Sequence, residues 1–150
     1  MKHKISSIAT FVRDNIVLHK SEGATVIDYG FRDFPRSCCD KASEILKTYL
    51  EDIGCTGFKY VHKRGSYKGK DYSHVWLENE FIAIDITGDQ YNGKWKNIHF
   101  EPITCEGKGD YFFNKINEES SLYEEYFMIP SPLYFNYLEF YNRIFREKQD

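Results

Sequence analysis

The stretch SHVWLENEFIAIDIT, Ser73–Thr87, decides how this chain is read. Apolar residues flank Glu78, Asn79 and Glu80, the pattern of two short strands around a tight turn. With Asn79 and Glu80 as a two-residue loop, His74 stands directly opposite Asp85. Opposed side chains in an antiparallel pair lie roughly 4.5–5.5 Å apart at Cβ. A carboxylate there can hold one imidazole nitrogen and set the tautomer of the ring. The same register puts His74, Trp76, Phe81, Ala83 and Asp85 on one face, and Val75, Leu77, Ile82, Ile84 and Ile86 on an apolar one. Asn tolerates a positive φ, but Glu80 stands where Gly is usual in such a turn. A four-residue loop about the same centre keeps the pair together; an odd-length loop separates it. The alternative is a surface His and an unrelated acid at a strand end.

A nucleophile is available upstream. From Asp40 to Gly54, apolar residues recur at Ala42, Ile45, Leu46, Tyr49, Leu50 and Ile53, which is helical spacing. Gly54 is a C-terminal stop, and Pro35 and Ser37 mark the approach to the N-terminus. At helical pitch Cys39 falls within the stripe of Ala42, Ser43, Leu46, Leu50 and Ile53, whereas Cys38 falls toward its edge beside Ile45 and Tyr49. Cys39 is therefore expected to face a packed sheet. A helix start favours a thiolate, the thiolate is the reactive species, and the N–H groups there suit an oxyanion. A lone cysteine is more often a small buried apolar residue; the His–Asp pair downstream argues for a site.

The order Cys at a helix start, His before an aromatic on one strand and Asp on the next resembles the transglutaminase-like branch of the papain-like cysteine hydrolases. The residues that carry it are FPRSCC (Phe34–Cys39), the helix through Leu50, SHVWL (Ser73–Leu77) and IDITGDQY (Ile84–Tyr91). More narrowly, the chain is similar to small bacterial proteins of that type, and the likeness spans about Phe31 to Tyr91. It implies Cys39 as nucleophile, His74 as general base and Asp85 as orienting carboxylate. Asp40 departs from the aromatic residue common after the nucleophile, and Cys38 adds a second thiol. Gln90 and Trp76 are candidates for oxyanion donation or support of the site.

The implied chemistry is thiol-dependent acyl transfer on a peptide or protein amide, through a thioacyl enzyme. Water as acceptor gives a peptidase or deamidase, and an amine gives a transglutaminase. A catalytically inactive binding or partner-recognition module on the same fold is the alternative.

The remaining sequence bounds these readings. One hundred and fifty residues suit a single domain spanning residues 1–150. A formal charge of −3 gives no indication of nucleic-acid binding. Four cysteines without a CxxC pair argue against structural zinc and a disulfide framework, and a reduced thiol fits a cytoplasmic setting. His19, His62 and His99 stand in no recognised metal spacing, so neither metal nor cofactor is expected. The N-terminal stretch is too short and too polar to span a bilayer. Its Ile5, Ile8, Val12 and Ile16 predict an amphipathic helix docked on the domain.

Elsewhere, Thr25–Tyr29 and Phe58–His62 read as strands, and Lys63–Asp71 as a basic glycine-containing loop. Arg64, Lys68 and Lys70 in that loop are candidates for a rim contacting an acidic or polar substrate. Lys94–Phe100 and Glu101–Thr104 read as edge strands. A helix starting at Ser131–Pro132 carries Leu133, Tyr137, Phe140, Tyr141, Ile144 and Phe145, an aromatic stripe expected to pack. The fold class expected is α+β, a nucleophile-bearing helix on an antiparallel sheet with an aromatic C-terminal helix. The resemblance makes the core papain-like or transglutaminase-like.

Overall fold

Apolar residues three and four apart turn the N-terminal stretch into helix α1, Lys2–His19. Ile5, Ala9, Val12 and Ile16 are buried on the face that docks against the rest of the chain, and burying each Ile or Val side chain stabilises the fold by roughly 1.5–3 kcal/mol. The computed structural model describes residues 2–20, 34–35, 39–67, 70–93, 99–107, 121–124 and 135–147. Thr25–Tyr29, Cys38, Lys68 and Ser131–Leu133 lie outside the described residues.

Helix α2 runs Cys39–Asp52 and buries Ala42, Ser43, Glu44, Ile45, Leu46 and Leu50. It stops where Gly54 takes φ +87°, a conformation only glycine adopts without penalty. The Cys55 N–H then donates to the Leu50 carbonyl at 2.7 Å. Because the helix ends at Asp52, Ile53 leaves the apolar stripe and is exposed, contrary to expectation.

The sheet has five strands: β1 Lys59–Tyr67, β2 Lys70–Glu78, β3 Ile82–Asp85, β4 Thr104–Gly107 and β5 Ser121–Glu124. Their order is β4-β3-β2-β1-β5, and every neighbouring pair is antiparallel. The molecule is therefore α+β, with α2 packed on central strand β2. Leu77 of β2 and Ile82 and Ile84 of β3 join α1 and α2 in one apolar core.

Two expectations about these strands need correction. Within the basic segment 63–71, residues 63–67 and 70–71 are strand instead of loop: β1 and β2 pair residue for residue from Lys59–Glu78 to Tyr67–Lys70. Arg64 and Gly65 are ladder positions, opposite Ser73 and Tyr72, and Lys70 pairs with Tyr67. Pairing on both sides, with β2 and β5, overrides the weak strand propensity of Gly and Lys here.

The β2–β3 register is also displaced by two residues. Glu78 pairs with Ala83 and Leu77 with Ile84, and Asn79–Phe81 connect the two strands. The cause is Asn79, whose side-chain oxygen accepts from the N–H groups of Phe81 and Ile82, each at 2.8 Å. That Asx turn puts Asn79 at the start of the reversal rather than its centre. Phe81 consequently lies in the turn, 61% exposed, instead of on the face of His74 and Asp85. A slip of two residues preserves side-chain parity, so His74 and Asp85 still share a face. They are diagonal neighbours, with Trp76 opposite Asp85 by extension of the register.

β4 begins only at Thr104, and residues 99–103 form no strand. Pro102, which lacks an N–H, lies in that break. At the C-terminus, α3 (Phe135–Tyr141) runs into a π-helical turn, Asn142–Glu147. Phe140, Tyr141, Ile144 and Phe145 are buried, so these aromatics pack rather than present a binding stripe. Tyr141 and Arg146 both hydrogen-bond Asp52 at the end of α2. Among the described residues no helix is long and apolar enough to cross a membrane.

Candidate active site

His74 lies in β2, four residues before the strand ends, and Asp85 is the last residue of β3. Beyond Asp85 the chain leaves the ladder and winds a 3₁₀ turn, Gly88–Tyr91, back beside His74. Cys39 is the first residue of α2 and half-buried. These three elements bring sulfur, imidazole and carboxylate together.

His74 Nε2 and Asp85 Oδ2 are 2.5 Å apart, both side chains being sealed from solvent. Cys39 is near enough to act on the same imidazole and favour its protonated form. Since Nε2 is committed to Asp85, Nδ1 is the nitrogen left for the sulfur. The Gln90 amide nitrogen also lies 3.3 Å from Nδ1, and 3.4 Å from the Thr87 hydroxyl. Cys39, His74, Asp85 and Gln90 are thus one cluster.

Asp85 is itself held. Its second oxygen, Oδ1, accepts from the Thr87 N–H at 2.9 Å and the Thr87 hydroxyl at 3.3 Å. Gly88 passes so close that an added Cβ would lie 3.1 Å from Asp85 Oδ2. Trp76 is fully buried; its ring lies 5.6 Å from the His74 ring, and its Nε1–H donates to Glu78 Oε1 at 3.0 Å. Trp76 therefore walls the imidazole instead of facing a substrate. Tyr91 meets the His74 ring edge-on at 5.0 Å, and its hydroxyl donates to the Ser73 carbonyl.

Burial by itself would drive the imidazole toward its neutral form. The charge and hydrogen bond of Asp85, joined by Cys39, overcome this and raise the His74 pKa to about 10. Both partners thus favour the protonated ring. The phenol of Tyr91 moves upward as well, through burial and then through the charges of Cys39 and Asp85, so it stays a donor. Lys63, also buried, stands opposite His74 across the β1–β2 ladder.

Sequence reasoning missed Arg13, Thr87 and Glu44. Arg13 reads as a solvent-facing charge on an amphipathic helix, and Glu44 as an ordinary polar position of α2. Thr87 alone carried a signal, since a Thr two residues after an Asp commonly bonds it locally. Of the rim candidates, Lys68 lies outside the described residues, and Arg64 and Lys70 sit on β1 and β2 instead of a loop. Among the described residues no three His, Cys, Asp or Glu side chains come together as metal ligands.

No protein-family model, curated protein or solved structure gives a match to this chain.

Proposed function

We propose that the chain is a thiol-dependent acyl-transfer enzyme acting on a peptide or protein amide, with Cys39, His74 and Asp85 as its triad. One observation carries the reading: a half-buried thiol at a helix start acts on an imidazole whose Nε2 is held by a buried carboxylate. The likeness to transglutaminase-like cysteine hydrolases along Phe34–Cys39, Ser73–Leu77 and Ile84–Tyr91 supports it.

His74 takes the Cys39 thiol proton at Nδ1, which leaves a thiolate beside an imidazolium. The thiolate attacks the amide carbonyl carbon, and the carbonyl π electrons pass to oxygen. Backbone N–H groups of the first turn of α2 and the Gln90 amide can donate to that oxyanion. Collapse of the intermediate breaks the C–N bond, and His74 gives its Nδ1 proton to the departing amine. Asp85 keeps the ring oriented throughout. His74, now neutral, takes a proton from water or from an acceptor amine as it attacks the thioester, and the thiolate leaves. Hydrolysis and transamidation share the thioester; access of the acceptor separates them.

The test is iodoacetamide labelling followed by peptide mass spectrometry. Rapid labelling at Cys39 that persists below neutral pH and slows at least about tenfold in His74→Ala supports the triad. Slow labelling insensitive to His74, or labelling at Cys38 alone, favours the inactive binding module.

A further inference from the structure

We propose that Arg13 is a positioning residue for this site, a clamp through which helix α1 holds the segment that follows the orienting carboxylate in register. The inference rests on the reading of Cys39 as nucleophile.

One guanidinium makes all the contacts. Arg13 Nη1 donates to the Ile86 carbonyl at 2.5 Å, to Asp89 Oδ1 at 2.9 Å and to the Pro102 carbonyl at 3.1 Å. Nη2 donates to Asp89 Oδ2 at 2.8 Å, which completes a two-pronged ion pair. The same group lies over the Phe34 ring, 5.0 Å from its centroid. Lys20, just beyond α1, adds a contact to the Phe34 carbonyl at 3.4 Å.

The positions of these anchors matter. Ile86 directly follows Asp85, and Asp89 directly precedes Gln90, so the clamp holds a backbone carbonyl on one side of Thr87 and a side-chain carboxylate on the other. Thr87 in turn holds Asp85 Oδ1 and meets the Gln90 amide. Phe34 leads toward Cys39. A fork of fixed geometry can serve these acceptors at once, and a lysine ammonium cannot match the two-pronged pairing. Displacing a catalytic group by about 1 Å costs on the order of a hundredfold in rate. A clamp of this kind therefore has leverage on chemistry although it touches neither sulfur nor imidazole.

The experiment compares Cys39 alkylation by iodoacetamide across pH in the full chain, Arg13→Lys, Asp89→Asn and Arg146→Lys. The last removes the fork from another Arg–Asp pair, at the far end of α2. Among the described residues, Asp85, Cys39, Gln90 and Tyr91 face His74, with Lys63 opposite on β1; all are unchanged in these variants. Arg13→Lys and Asp89→Asn are expected to slow alkylation at neutral pH by about tenfold or more, and to move the acid limb of the profile upward by about one pH unit. A loosened Asp85 holds the imidazolium less firmly, so the reactive ion pair forms only at higher pH. Arg146→Lys is expected to keep the parent rate and profile.

Parent-like rate and profile in both Arg13→Lys and Asp89→Asn overturn the clamp alone, provided the parent labels rapidly and needs His74. A rate loss without a profile shift, tracking lost thermal stability, also overturns it. Absence of His74-dependent labelling in the parent sinks the underlying reading as well.

Discussion

Replacing Glu44 by Gln should stabilise the protein above neutral pH and leave it nearly unchanged in acid. Glu44 lies on the buried side of α2 with 1% of its surface exposed, and among the described residues neither carboxylate oxygen has a hydrogen-bond partner. Lys41 Nζ is 3.9 Å away, too far for a hydrogen bond. Burial raises the carboxyl pKa from 4.5 to about 7; Lys41 opposes the shift and Asp40 adds to it. Below pH 4.5 both folded and unfolded chains hold the proton, so the site costs nothing extra. Between 4.5 and about 7 only the folded chain holds it, and stability falls as pH rises. Above 7 the loss is complete. At about 1.4 kcal/mol per pH unit, this shift corresponds to a ceiling of about 3 kcal/mol. Water entry or side-chain rotation lowers the realised value. Gln has the shape of the protonated acid without its titration, so urea unfolding of parent and variant isolates the effect. A stability difference that is the same at pH 4 and pH 8, within experimental error, refutes the argument, as does a variant less stable than the parent at pH 8.

Three further outcomes are expected. The His74 contribution has its own window: its folded pKa is raised from 6.5 to about 10, so the stabilisation is full below 6.5 and is lost as pH rises through about 10. Urea midpoints of His74→Ala should therefore approach those of the parent at the alkaline end. Gly88→Ala places a methyl 3.1 Å from Asp85 Oδ2 and pushes the carboxylate off His74; Cys39 alkylation should slow by about tenfold while thermal stability changes little. Trp76→Phe keeps the ring but removes the donor to buried Glu78, which should cost about 1–3 kcal/mol in urea unfolding.

What could be read from the chain alone was what depends on neighbours along it. Helical spacing located α1 and the body of α2, because Ile5, Val12 and Ile16, or Ala42, Leu46 and Leu50, meet one face whatever lies across from them. Parity kept His74 and Asp85 on one face even though Asn79 moved the register by two residues. Period alone could not choose that register, because a strand slipped by two presents the same face.

Tertiary structure decided the rest. Lys63–Ser66 became strand because it gained partners on both sides, and its own Gly and Lys residues give no sign of that. Glu44 lost its solvent only when α2 was covered. Arg13 found Ile86, Asp89 and Pro102 only once α1 had docked. Local patterns record which face of an element is apolar. Which charges end up desolvated, and which distant backbone a guanidinium grips, depend on how those faces are stacked.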